Sequence, residues 1–326
     1  MTVEWVEDPA AFVARDWTDL VEADPEATLF HTPRYLKLYW EEFGAARPQI
    51  ALVHLGGAPV AAAVMDVRDG MATWLGGFDV TDYMGPVGPP ESTDAAAKEL
   101  MTALATRDDW ISADLAGLPR DGRWLAALDS AAPEAGLVAE TGEDDVSPVL
   151  PLPGSFDEYA AALPGKLRHE MRRKGRRLRE ALADPGLAEA TPATAARDLD
   201  RFVELHRSSE GEKGRFMVPG MELFFRRLAD ELLGDGTFRL VFLEAAGVKL
   251  AGAVGFRFRD RFLLYNSAYD HQWARLSPGT VLMAELIRNA IEEGCRTFDL
   301  LKGDLGYKYR FGARPRRVAR LRLWRR

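Results

Sequence analysis

The strongest constraint on this chain lies at residues 237–301. Three apolar runs, TFRLVFLEA, KLAGAVGFRF and RFLLYNSAY, follow one another with tight turns at Ala246-Gly247 and Arg259-Asp260. Runs of this length, rich in Val, Leu, Phe and Tyr and broken by short turns, predict consecutive antiparallel strands over 237–244, 249–258 and 261–269. An apolar-periodic helix over 279–293 and a short strand over 296–301 come next. A meander that leads into a helix and then another strand needs helices packed on a mixed sheet, so the fold class is α/β.

The remaining patterns fit the same architecture. In the first half, helices are predicted over 9–21, from the Thr32-Pro33 cap to Gly44, and over 92–106 and 121–132. Strands are predicted over 49–55, 58–66, 71–75, 109–115, 136–140 and 145–150, with a Gly/Pro-rich loop at 76–90. The second half reads as helices over 164–183, 195–210 and 219–233 before the meander. A short helix over 304–311 and a last strand over 316–324 close it. The Pro-rich stretch PVLPLPGSFDEY at 148–159 is the expected boundary, giving domains 1–150 and 151–326.

Composition removes several classes. With 47% hydrophobic and 28% charged residues the 326-residue chain can bury sizeable cores, which excludes disorder throughout. One cysteine, Cys295, excludes a disulfide scaffold and a cysteine zinc cage, and five scattered histidines give no metal spacing. There is no Walker A motif, no GxSxG elbow and no GxGxxG. The apolar stretches are too short to span a bilayer and the acidic start has no signal-peptide pattern, so no membrane insertion and a cytoplasmic address are expected.

The net charge of −8 hides an asymmetry. Residues 166–179 and 302–326 together hold eighteen basic and two acidic residues, against 24 basic and 48 acidic elsewhere. Such segments point to a local anionic partner, or else to a solvated helix face and a basic tail. On the predicted helix, Leu163, Leu167, Met171, Leu178 and Leu182 form an apolar stripe that leaves the arginines outside. A binding module for nucleic acid or another anionic polymer is therefore one reading of 166–179, although the aromatic interleaving of single-strand binders is missing.

Candidate chemistry concentrates in 261–311. Ser277-Pro278-Gly279-Thr280 opens the 279–293 helix, where backbone N–H groups lack intrahelical partners and the dipole is positive. Gly279 would let a ligand approach closely, so this turn reads either as a seat for a pyrophosphate or simply as a cap. Past the strand at 297–301 come Lys302-Gly303-Asp304 and Gly306-Tyr307-Lys308-Tyr309-Arg310-Phe311. Polar residues at the C-terminal end of a strand mark a ligand edge in open α/β sheets. Asp299, between Phe298 and Leu300, needs a partner, so it is either a functional base or half of a structural ion pair. His206 and Glu210, spaced i and i+4, form either a polar pair on one helical face or a structural histidine with a solvated carboxylate.

These motifs carry a resemblance. Y-x-x-x-A-Y-D, S-P-G-x-x-L, F-D-L-L-K-G-D and Y-K-Y-R-F-G together resemble the C-terminal half of the CelD/BcsL acetyltransferases. That family lies within the GNAT superfamily and is related to the FemAB peptidyl transferases. LPGKLRHEMRRKGRRL and LHRSSEGEKGRF extend the resemblance, and LFHTPRYLKLYWEEFG and TDYMGPV echo it faintly in the first half. The resemblance implies two tandem GNAT-like domains, each a mixed, largely antiparallel sheet flanked by helices. The first would be degenerate and serve the acceptor, and the second would carry acyl-CoA chemistry.

It also implies roles. Acetyl-CoA or another acyl-CoA would be the co-substrate, with no metal, and the amides around Ser277, Pro278, Gly279, Thr280 and Val281, with Arg275, would hold its pyrophosphate. The loop departs from the usual Gln/Arg-x-x-Gly-x-Gly/Ala by one extra residue and a single glycine, and FemAB relatives use aminoacyl-tRNA as donor. An amine attacking a thioester must first lose a proton, and the departing thiolate needs one or a cation. Tyr307 is the candidate acid, Lys308 the candidate stabiliser of thiolate or oxyanion, and Asp299 and Asp304 the candidate bases. His206, Glu210, Tyr265, Asp82 and Tyr83 are candidates for a small or polymer-linked amine acceptor. Nucleic acid enters as a partner only if aminoacyl-tRNA is the donor.

Overall fold

The computed structural model describes residues 1–44, 47–77, 80–209 and 212–325. The chain forms two compact units, Met1–Val146 with Arg316–Arg326, and Ser147–Pro315. The expected cut at 150/151 falls inside a strand, and the last strand is built largely into the first unit.

The first unit begins with β1 (Thr2–Val6), α1 (Pro9–Ala14), α2 (Thr18–Ala23) and α3 (Pro33–Phe43). The helix expected over 9–21 is split in two. Arg15 is extended, and Asp16 accepts hydrogen bonds from the Thr18 N–H and hydroxyl, restarting the helix. The hairpin β2 (Pro48–Leu55) and β3 (Ala58–Arg68) turns at Gly56-Gly57, where φ values of 60° and 88° explain both glycines. Then come β4 (Met71–Trp74), α4 (Thr93–Thr106), β5 (Ser112–Pro119), α5 (Arg123–Glu134) and β6 (Leu137–Pro151). The two strands expected over 136–150 are this single β6. The prolines do not break it, because the Pro148 carbonyl still accepts the Leu300 N–H in the second unit.

In the first unit the strand order is β1-β2-β3-β4-β5-β12, where β12 is Arg314–Arg325. All these pairs are antiparallel except β4 with β5. Helices α4 and α5 pack together over this sheet around Leu100, Met101, Leu115, Leu128 and Leu321.

The second unit adds α6 (Phe156–Ala162), α7 (Gly165–Ala181), β7 (Gly186–Glu189), α8 (Ala195–Arg207), α9 (Glu212–Phe216) and α10 (Pro219–Leu232). The meander follows as β8 (Phe238–Ala245), β9 (Val248–Phe258) and β10 (Arg261–Tyr269), then α11 (Pro278–Glu292) and β11 (Thr297–Asp299). The order is β11-β10-β9-β8-β7, and residues 149–151 of β6 pair with β11. Only β10 with β11 is parallel. Strand alternation gives the sheet two apolar faces. Val241, Leu243 and Phe262 meet α11, while Phe256 and Tyr265 meet the α8 and α10 aromatics through Phe225. The helix expected over 304–311 is a short 3-10 turn, Lys308–Phe311.

Candidate active site

Strands β10 and β11 pair at three positions, from Arg261↔Thr297 to Leu263↔Asp299. The pairing stops where β10 takes a bulge, with Tyr265 as the extra residue between Leu264 and Asn266. The bulge re-aims the rest of β10. From there Ser267 and Tyr269 line a pocket of about 370 Å³ within the second unit. Its other walls are the turn and first residues of α11, one side of α7, and Tyr307, Arg310 and Phe311.

The turn before α11 is unusual for a non-glycine residue. Ser277 has φ 55° and ψ 48°, a left-handed conformation that costs about 1 kcal/mol, and it hands the chain to Pro278 at the first helical position. The Ser277 N–H donates to Ala274 O at 3.0 Å, and the Thr280 and Val281 N–H groups donate to Ser277 O at 3.0 and 3.2 Å. Pro278 has no N–H. Among the described residues this leaves the Gly279 N–H as the one of the turn's four N–H groups without a partner. A Cβ on Gly279 would stand 3.3 Å from Tyr269 Cδ1, so the missing side chain keeps the backbone open beside that ring.

The floor of the pocket comes from α7. Leu167 and Met171 line it, and Lys174 lies on the same face with its side chain only 16% exposed. Lys174 Nζ bridges Glu170 Oε1 at 2.7 Å and Thr280 Oγ1 at 3.2 Å, tying the basic helix to the first turn of α11.

Residues 165–309 match the family described as Acetyltransferase (GNAT) domain. Similar solved structures cover nearly the whole chain. FemX aligns at a TM-score of 0.69 and 12% identity, over 98% of this chain and 96% of its own. L-PGS from Bacillus licheniformis aligns at 0.60 and 12% identity, over 98% and 92%. The tandem GNAT protein from the clavulanic acid biosynthesis pathway aligns at 0.51 and 13% identity, over 98% of both chains. The fold is GNAT-like, and the family match lies within the second unit. No curated protein sequence matches the chain.

Within the GNAT-type second unit, the expected site residues separate into those on the pocket and those that build its frame. Ser277, Pro278, Gly279, Thr280 and Tyr307 line the pocket. Val281 turns its side chain into the core, and Arg275 is exposed on the preceding turn, off the pocket wall. Tyr307 keeps 38% of its surface open, yet the crowding around its hydroxyl raises the phenol above its ordinary value.

Lys308 and Asp299 hold backbone instead of lining the pocket. Lys308 is 4% exposed, and its Nζ donates to Leu301 O at 2.8 Å and Lys302 O at 2.6 Å. Asp299 Oδ1 accepts the Leu301 N–H at 2.8 Å, fixing a turn in which Leu301 has φ 55°. Asp304 and Lys308 do not pair with each other, because no helix spans them. Asp304 accepts a hydrogen bond from the Tyr309 hydroxyl at 2.5 Å, which pushes that phenol up to about 12.

The expected acceptor residues fall in both units. His206 is fully buried between Phe202 and Phe216, and its Nε2–H donates to Asn266 Oδ1 at 3.0 Å, bracing the bulge. Tyr265 packs its ring against Phe225 and Phe256. Glu210 lies outside the described residues. Asp82 and Tyr83 belong to the first unit, where Tyr83 is buried with Arg316 over its ring. Sequence reasoning missed Glu170, Lys174, Tyr269 and Arg310 as wall residues. Lys174 had a legible signal, since it sits at helical spacing in the stripe of Leu167, Met171 and Leu178. Among the described residues there is no group of three or more His, Cys, Asp or Glu that could hold a metal, and no helix long and apolar enough to cross a membrane.

Proposed function

We propose that the chain is an N-acyltransferase whose second unit takes an acyl-CoA, acetyl-CoA first among them, and passes the acyl group to an amine by direct attack. The observation that carries this reading is the pocket beyond the end of the β10–β11 pairing. It has the open Gly279 amide at one wall and Tyr307 at another. The Gly279 N–H and the positive end of α11 suit a diphosphate, and the pocket wall formed by Ser267 and Tyr269 of β10 suits a narrow pantetheine arm. The neutral amine nitrogen attacks the thioester carbonyl, the C–S bond breaks, and the sulfur leaves as thiolate. The ammonium of the tetrahedral adduct loses its proton to water or a carboxylate, Tyr307 gives its proton to the departing sulfur, and solvent returns a proton to the phenolate.

A phenol above 10 is a weaker acid than a thiol near 8.5, so in water this transfer would run uphill by about 2 kcal/mol. The thiolate forms in the same desolvated pocket, which raises its own pKa and reduces that difference. The reading is tested by thermal shift with acetyl-CoA, longer acyl-CoAs and free CoA, followed by thiol release with candidate amines. A bound ligand raises the melting temperature by mass action. Failure of all three to shift the protein would sink the acyl-CoA donor.

A second reading takes aminoacyl-tRNA as the donor. It is favoured by a specific feature of α7: Arg172, Arg173, Arg177 and Arg179 are exposed with no carboxylate at ion-pair distance among the described residues. Arg176 is exposed too, but faces Glu180 at 3.6 Å. A row of uncompensated cations suits a phosphate backbone. Replacing Arg172, Arg173, Arg176 and Arg177 by Gln should sharply weaken retention on tRNA and flatten the salt dependence of what remains. Equal retention of parent and variant would leave α7 as a solvated face.

A further inference from the structure

The pocket mouth holds one carboxylate among several cations. Glu170 lines the pocket with Lys174 and Arg310, and the positive charge of Arg310 and Arg173 reaches it in addition to its 2.7 Å contact with Lys174. Together these groups leave a local excess of positive charge on a chain whose net charge is −8. The hydrogen bond from Lys174, ahead of the more distant cations, holds the Glu170 carboxyl below the usual carboxylate range. Glu170 is therefore an anion at neutral pH.

The two partners are not equally fixed. Lys174 is 16% exposed and is anchored to Thr280 Oγ1, one residue from the open Gly279 amide. Glu170 is 33% exposed and shows no second anchor among the described residues. If the pair opens, the carboxylate can turn out into water while the ammonium stays on the pocket wall. An i, i+4 pair on a half-exposed helix is weak, so an incoming anion with more oxygens can displace it.

We propose that Glu170 is a built-in stand-in for an anionic phosphate group of the donor. It occupies Lys174 in the empty protein and yields it when a diphosphate-bearing ligand enters. Lys174, with Arg310 and the Gly279 amide, is then the diphosphate site, and Glu170 tunes its affinity by competing for it. The inference rests on the donor reading of this pocket and adds a residue whose removal should strengthen binding. A carboxylate that served only to stabilise the helix would not do so.

The test is titration calorimetry of inorganic pyrophosphate and of CoA against the full chain, the Glu170→Gln, Lys174→Gln and double variants, each checked for folding by circular dichroism. Glu170→Gln should bind both ligands roughly three- to tenfold more tightly, from loss of the competing pair and of like-charge repulsion. Lys174→Gln should bind them at least about tenfold more weakly. In the Lys174→Gln background, Glu170→Gln should lose most of its effect and keep only the part that comes from like-charge repulsion. An unchanged or weaker affinity in Glu170→Gln overturns the proposal, as does an undiminished gain in the double variant, which would mean a general charge effect. Glu170→Ala serves the same purpose if the Gln variant misfolds. Pyrophosphate separates the two ideas. Binding of pyrophosphate that tightens in Glu170→Gln, with no binding of CoA, supports the stand-in and refutes the acyl-CoA donor. CoA binding that is indifferent to Glu170 does the reverse.

Discussion

Gly279 offers the cleanest steric probe of the pocket. An alanine there would put its Cβ 3.3 Å from Tyr269 Cδ1, a contact that a few tenths of an ångström of ring movement relieves. Tyr269 is the last residue of β10 and is half-buried rather than enclosed, with its ring 4.8 Å from that of His271 between centroids. Gly279 lies in the helical first turn, where replacing glycine gains up to about 1 kcal/mol of helix propensity, close to the strain introduced. Gly279→Ala should therefore melt within about 2–4 °C of the parent. Gly279→Val adds two methyls that cover the amide and fill space beside Tyr269. If the donor's phosphate accepts the Gly279 N–H, losing that charge-assisted bond costs about 1.5–3 kcal/mol, which is roughly a 10- to 150-fold rise in Kd. The assay is CoA and acetyl-CoA binding by calorimetry, with melting temperatures measured alongside. A folded Gly279→Val protein that binds CoA with parental affinity would refute the placement of the diphosphate at this turn.

Three further outcomes are expected. Tyr307→Phe should keep donor affinity but slow turnover by about 10²–10⁴-fold, and the loss of activity as the phenol ionises above its ordinary value near 10 should disappear from the alkaline limb; parental turnover would remove Tyr307 from the reaction. Lys308→Met should leave two carbonyls of the 301–302 turn unsatisfied and destabilise the protein by about 2–4 kcal/mol, lowering the melting temperature by several degrees, whereas an unchanged melting temperature would show that the turn does not need the ammonium. Asp304→Asn should return the Tyr309 phenol from about 12 towards 10 in an absorbance titration. The Asp304–Tyr309 contact favours the folded state at pH values below 10 and is lost as pH rises through about 12, so the parent's advantage over Asp304→Asn in melting temperature should fade across that window.

The sheet of the second unit was legible because its signals are local. The three meander strands and α11 were read to within a residue or so, since apolar period and turn residues identify them together. The pocket was half legible. The turn at Ser277–Thr280 announces itself by Pro and Gly at a helix start, but which amide stays open depends on the left-handed φ of Ser277, which no residue pattern encodes. Asp299 and Lys308 looked catalytic because they are polar residues beside a strand end. The contacts they make are with the 299–302 backbone, across a turn and invisible to helical spacing. His206 looked available on a helix face and is fully enclosed by aromatics brought from elsewhere in the sequence.

Strand β12 has a consequence for how the protein is made. Residues 316–325 supply Ala319, Leu321 and Leu323, all fully buried, to the core of the first unit, and they pair with β5. On a ribosome these residues are synthesised only after all of 147–315. The second unit has its whole sequence available by then and is free to fold, while the first waits with the β5 edge and the apolar surface around Leu115 and Leu118 uncovered. Synthesis at 5–20 residues per second makes that wait on the order of ten seconds or longer. The nascent chain would thus reverse the usual N-terminal-first order, and the unit that begins the sequence would be the last to close.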